Sequence, residues 1–156
     1  MMKRTIAMLA GALSLAGALA VAAPANAAFA PKADASVPFA DPTIIDVTAA
    51  NFPQVLEMSN TKPVVLDFTA TWCHWCQVQY PHLKKFNEQD NGSWILAKVD
   101  VDRNKDIMRK YSVRGIPALV SIGKEKEYGS RSVGFDSANA LRAWLTNVVT
   151  KYPASR

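Results

Sequence analysis

Cys73 and Cys76 are the only cysteines among the 156 residues. They close the stretch V-V-L-D-F-T-A-T-W-C-H-W-C, residues 64–76. An apolar run that leads straight into C-x-x-C is the pattern of a dithiol cycling between thiol and disulfide. The thiolate is the reactive form. A cysteine where a helix begins meets unpaired backbone N–H groups and the positive end of the helix dipole, so its pKa is lowered. Cys73 is therefore the predicted nucleophile. Cys76 lies three residues on, within about one turn of the same helix, where it can attack a mixed disulfide on Cys73 and release the partner. A purely structural disulfide is the poorer reading, because so small a loop restrains the unfolded chain little.

Several neighbours bear on that chemistry. Asp67 interrupts an otherwise apolar strand. A buried carboxyl has a raised pKa and can take a proton from the resolving thiol; the plainer alternative is a carboxylate that caps the active-site loop. Lys98, on the next strand, is its predicted charge partner. His74 would favour the thiolate as an imidazolium beside Cys73, making the pair more oxidising, or would point into solvent and do little. Trp72 and Trp75 are large aromatic groups at an exposed helix start, and partner contact is preferred over core packing for both. Ile116 precedes Pro117, and X-Pro bonds are the common site of cis peptides. A cis Pro117 facing Cys73 would leave the Ile116 backbone to pair with an extended substrate.

The elements that must hold these residues follow from periodicity and punctuation. Thr43 to Val47 is a short β-branched strand. Thr48 or Asn51 caps a helix through Met58, with Pro53 tolerated near its start. Val64 to Phe68 is a strand buried on both faces, as in a central parallel strand. A helix from Cys73 to Asn87 follows, with Pro81 expected to kink it. Trp94 to Val101 is a strand, Arg103 to Tyr111 a short helix, and Ala118 to Ile122 a strand. Gly123 to Glu127 is a charged, solvated hairpin tip. Tyr128 to Val133 is an edge strand ended by Gly134. Asp136 or Ser137 caps the last helix, Ala138 to Thr150, with Leu141, Trp144, Leu145, Val148 and Val149 on its core face. The order β-α-β-α-β-α-β-β-α predicts an α/β protein with a central mixed β-sheet flanked by helices.

The first residues read as an address. Lys3 and Arg4 precede the apolar run Ile6 to Ala23, and Ala25-Asn26-Ala27 fits a small-x-small cleavage site. Residues 1–27 are thus expected to be a secretory signal peptide of bacterial type, directing the protein to a periplasm. An uncleaved membrane anchor is the alternative. Residues 28–42, with Pro31, Pro38 and Pro42, read as a flexible lead-in, and residues 43–152 as one domain. The formal charge of +5 falls by two without Lys3 and Arg4. So small a surplus, with no clustered basic stripe, argues against a nucleic-acid partner.

Several blocks resemble the thioredoxin family, from about Ile44 to Val149. V-V-L-D-F-T-A-T-W-C is similar to its strand-plus-active-site block, with Asp67 at its buried acid. Pro81 matches the proline of its active-site helix. A-K-V-D-V-D, residues 97–102, matches its third-strand block, with Lys98 at the lysine. R-G-I-P-A, residues 114–118, matches its cis-proline block, and Val133-Gly134 its substrate-groove loop. The resemblance implies a thioredoxin fold and thiol–disulfide exchange centred on Cys73, Cys76 and Pro117, with Gly134 against the substrate. Two positions depart from the pattern: His74-Trp75 replaces the usual Gly-Pro between the cysteines, and Thr69 stands where a tryptophan is common. Pro117 follows Cys76 too closely to admit the helical insert of periplasmic disulfide-forming oxidants.

The expected function is a periplasmic thiol–disulfide oxidoreductase, working as a reductant of client proteins and recharged by a membrane or periplasmic redox partner. It needs no cofactor and is expected to be a monomer. Two other classes compete. A Cu(I) chaperone would use the same soft thiolates, but His82 lies about half a turn out of phase with Cys73 and cannot easily join. An adaptor with incidental cysteines would carry a reactive thiol for no purpose.

Overall fold

The computed structural model describes residues 43–153. The expected signal peptide and lead-in lie outside the described residues. Within them, no helix is long and apolar enough to cross a membrane.

The chain forms β1 (Thr43–Asp46), α1 (Phe52–Met58), β2 (Val64–Thr69), α2 (His74–Gln89), β3 (Ile95–Asp100), α3 (Lys105–Lys110), β4 (Ala118–Gly123), β5 (Lys126–Glu127), β6 (Ser132–Val133) and α4 (Ala138–Thr150). The sheet runs β1-β3-β2-β4-β5, with β6 also paired to β4. β1, β3 and β2 are parallel; β4 runs antiparallel to β2 and to the closing strands. This is the expected mixed sheet flanked by helices.

Alternation along the strands divides the core in two. Val64, Leu66 and Phe68 of β2 pack with Phe52 and Val55 of α1 and Ile107 of α3. Val65 faces the opposite way, with Leu83 of α2 and Leu141, Leu145 and Val148 of α4. Asp67 alternates with Val65 and Lys98 with Leu96, so both stand on the face that α2 and α4 cover. Trp144 and Val149 of α4 are only partly buried against that core.

Local chemistry sets the element ends. Thr48 and Asn51 cap each other: the Thr48 amide donates to Asn51 Oδ1 (2.8 Å) and the Asn51 amide to Thr48 Oγ1 (3.2 Å). Ser137, not Asp136, caps α4 by accepting the Ala140 amide at 3.1 Å. α3 starts two residues later than expected, because Asp100 Oδ1 accepts the amides of Asp102 (2.9 Å) and Arg103 (3.2 Å) and holds them in a turn. Pro81 lies inside α2, which continues to Gln89.

The closing hairpin differs from expectation in two ways. Lys126 and Glu127 are strand, paired with Gly123 and Ile122, so the turn itself is Lys124–Glu125, both at positive φ. Glu125, Lys126 and Glu127 are exposed, as expected of a solvated tip, but the backbone of the turn is bound. The Lys124 amide donates to the Ser59 carbonyl at 2.8 Å, the Glu125 amide to Ser59 Oγ at 2.8 Å, and Asn60 Nδ2 to Glu125 Oε1 at 2.6 Å. The expected strand Tyr128–Val133 is also interrupted. Gly129 takes a φ of +69°, and only Ser132 and Val133 regain pairing with β4. Arg131 in the gap pairs with Glu127 and donates to the Tyr111 carbonyl.

Leu145 is fully buried and carries much of the docking of α4 onto the sheet. Leu145→Ala is expected to cost about 2–5 kcal/mol through lost burial and the cavity left behind. Urea denaturation followed by circular dichroism reads this as a lower midpoint at unchanged slope.

Candidate active site

β2 delivers the chain to the site. After Thr69 it turns through residues 70–72, and the Cys73 amide donates back to the Ala70 carbonyl at 3.1 Å. Gln77 Nε2 donates to the Thr71 carbonyl and fixes the loop from the helix side. Cys73 is the N-cap of α2 in extended conformation, and its Sγ accepts the Cys76 amide at 3.2 Å. The sulfur therefore sits on one of the donors that a helix start leaves unpaired, where a thiolate would be stabilised after reduction. Cys73 and Cys76 form a disulfide with Cα atoms 5.3 Å apart. Both residues are buried in the core that β2 shares with α1 and α3.

The Ile116–Pro117 peptide is cis. Phe68 pairs with Ala118 across the antiparallel β2–β4 ladder, so Pro117 falls opposite the end of β2, beside the loop that carries Cys73. The Pro117 carbonyl accepts the Gly134 amide at 2.8 Å. Gly134 has a φ of +79°, a backbone that L side chains rarely adopt. Ile116 is half-buried against the same core.

Trp72 and Trp75 are exposed, as expected of contact residues, and Trp72 Nε1 donates to Asp102 Oδ2 at 2.8 Å. Trp72, Met108, Arg114, Gly115 and Ile116 line one groove beside the disulfide. Among the described residues, Val133 is the third exposed large apolar side chain, at 70%, and adjoins Gly134. Its exposure was not legible locally, because a β-branched residue in a strand reads as packed. His74 is exposed, its ring edge-on to Trp75 at 5.3 Å; this is the solvent-facing alternative.

Asp67 is buried, and its Oδ1 has no hydrogen-bond partner. Burial raises its pKa from 3.8 to about 7, against an opposing pull from the Lys98 ammonium. The two residues are register partners on adjacent strands, yet they form no ion pair. Lys98 Nζ instead pairs with Asp46 Oδ1 at 3.2 Å and stands 4.8 Å from the centre of the Tyr80 ring. Lys98 is thus a charge partner of Asp67 at a distance, as expected, while its ion pair is with Asp46. Asp46 and Tyr80 escaped sequence reasoning, since only the β1–β3 register and the first turns of α2 bring them to Lys98. A second groove of about 640 Å³ runs from these three residues to Cys76. Among the described residues no three metal-ligating side chains converge.

The thioredoxin family model matches residues 43–147. The chain belongs to the thioredoxin family. It is 36% identical over 105 residues to a thioredoxin of Mycobacterium tuberculosis, covering 67% of this chain and 89% of that one. It is 33% identical over 102 residues to a thioredoxin of Buchnera aphidicola, covering 65% and 92%. With mouse mitochondrial thioredoxin it shares 32% identity over 92 residues, 59% of this chain, and it spans only 55% of that relative's length. A solved mutant thioredoxin from Halobacterium salinarum superimposes with a TM-score of 0.62 at 27% identity, over 73% of this chain and 97% of that one.

The raised pKa of Asp67 has a consequence for stability. In the unfolded chain the carboxyl ionises near 3.8, and in the folded protein near 7. Its stabilising contribution is therefore complete below the unfolded value, declines as pH rises between the two, and is gone above about 7. At about 1.4 kcal/mol per unit, the loss is on the order of 4 kcal/mol. Asp67→Asn removes the ionisation. The variant is expected to be more stable than the parent by a few kcal/mol at pH 8, with the advantage shrinking towards pH 4. Denaturant titrations of the oxidised proteins at both pH values check this.

Proposed function

We propose that the protein is an exported thiol–disulfide oxidoreductase that reduces disulfides in client proteins of a periplasm. The single observation behind this reading is the Cys73–Cys76 disulfide at the start of α2, with Cys73 Sγ on the helix's first-turn donors. In the reduced protein, Cys73 thiolate attacks one sulfur of a client disulfide. A mixed disulfide forms and the first client sulfur leaves as a thiolate. Cys76, its proton passed to the Asp67 carboxylate, then attacks Cys73 Sγ. The mixed disulfide breaks, the second client thiolate leaves, and the internal disulfide forms. Two electrons have moved to the client, and an upstream dithiol restores them.

Client binding falls to the surface around the pair. Trp72, Trp75 and Val133 supply exposed apolar area, and the Ile116 backbone beside Pro117 pairs with an extended client segment. The outward position of His74 supports a reducing pair, because an imidazolium away from the sulfur adds little stabilisation to the thiolate form. Export rests on the charged start, apolar run and Ala25-Asn26-Ala27.

Equilibration with glutathione at fixed pH is expected to give a potential near the thioredoxin value of about −270 mV. A value near −120 mV would make the protein a disulfide donor instead. Insulin reduction should be abolished in Cys73→Ser, while Cys76→Ser should accumulate mixed disulfides. Tight Cu(I) binding without insulin reduction would replace this reading with metal carriage. N-terminal sequencing of periplasmic extract is expected to begin at Ala28; retention in the membrane fraction with Met1 intact would overturn cleavage.

A further inference from the structure

The groove behind Cys76 holds a side-chain arrangement that the exchange chemistry has not used. Lys98 stands on the same sheet face as Asp67, one strand away, and neighbouring strands lie about 4.8 Å apart. An ammonium on a four-carbon stem could rest directly on that carboxyl. It does not. Its Nζ is drawn to the groove mouth, 3.2 Å from Asp46 Oδ1 and 4.8 Å from the Tyr80 ring centre. The carboxylate supplies charge and the ring face supplies a further cation contact. Asp67 Oδ1 is left with no hydrogen-bond donor.

We infer that Asp46 and Tyr80 are positioning residues: they tether Lys98 Nζ at the groove mouth, off Asp67, and thereby govern proton exchange between Asp67 and Cys76. The inference rests on the oxidoreductase reading for its functional meaning, though the tether itself does not.

The other groups around Asp67 and Lys98 leave this role to Asp46. From β3, Asp100 faces the groove but is occupied by the Asp102 and Arg103 amides and lies 3.9 Å from the Arg103 guanidinium. From α2 come Tyr80 and Cys76. β4 places Leu119 opposite Asp67 and contributes no charge there. Lys98 is thus the cation that can move onto Asp67, and Asp46 the carboxylate that holds it back. With the tether cut, the ammonium approaches Asp67 and favours its ionised form. The carboxylate that accepts the Cys76 proton is then present at lower pH.

The test reads Asp67 directly. Carboxyl carbon NMR of the oxidised protein follows its titration, alongside the pH dependence of insulin reduction. In Asp46→Asn the Asp67 midpoint is expected to fall by about one pH unit, the scale of a cation brought near a carboxylate, and the acid limb of the rate profile to fall with it. Tyr80→Leu should shift both in the same direction by less. Tyr80→Phe, which keeps the ring, should match the parent. Lys98→Met distinguishes a tether from simple loss of negative charge: in that background Asp46→Asn should leave the midpoint where it is. An unmoved midpoint in Asp46→Asn overturns the inference, and so does an equal shift without Lys98. If the midpoint moves as expected but the parent protein does not reduce insulin, the tether stands and the functional reading fails.

Discussion

β2 is paired on both edges, to a parallel neighbour along its whole length and to an antiparallel one from Val64 to Phe68. Nothing else in the domain is so completely constrained. A strand paired twice and buried on both faces cannot slip, because a one-residue shift would turn every side chain to the wrong layer. Its end is therefore a fixed point. The parallel partner brings Lys98 level with Asp67 and carries β1 with Asp46 behind it. The antiparallel partner brings Pro117 level with the turn into Cys73. Asp67 and the cysteines follow one another along the stretch 64–76, the cis Pro117 comes from a segment far along the chain, and all are referred to one strand.

That constraint also explains why a carboxyl can persist in the core. In a softer element, Asp67 would rotate to water or draw water in. Held between two ladders on the face closed by α2 and α4, it gives up its charge near neutral pH instead. The single cation nearby is kept at a distance by Asp46 and Tyr80. The result is a buried carboxyl that titrates near neutral pH, one strand from a groove that runs between Lys98 and Cys76. An unpaired buried polar atom normally costs stability, and under the proposed mechanism that cost falls on the group that takes the Cys76 proton.

Much of this was legible in the sequence where chemistry and periodicity agreed. The apolar run into C-x-x-C located the site, the alternation of strands and helices located the sheet, and Ile116-Pro117 located the cis bond. Reading fared worse where geometry depends on register. Lys98 was visible as a cation near Asp67, but its true partner is Asp46, fifty-two residues away and adjacent only through the parallel pairing of β1 and β3. The hairpin tip is solvated as expected, but its backbone contacts lay beyond composition. K-E-K-E has the composition of a solvated tip, and composition does not reveal that Ser59 offers its oxygens to the tip's backbone amides while Asn60 bonds the Lys124 and Glu125 side chains. Gly129 was likewise read as part of a strand, though its positive φ breaks the run between Tyr128 and Ser132.

The turn at Lys124–Glu125 shapes how the chain can be altered. Hairpin tips are commonly chosen for inserted tags and grafted peptides because their backbone is bound to nothing. Here both backbone amides of the tip are committed to Ser59, and Tyr152 donates its hydroxyl to the carbonyl of that same serine at 2.7 Å. The turn, the loop after α1 and the segment after α4 are thus sewn together at one residue, at the end of the sheet away from the cysteines. A graft placed there would loosen three pieces of chain at once, whatever its own length or composition.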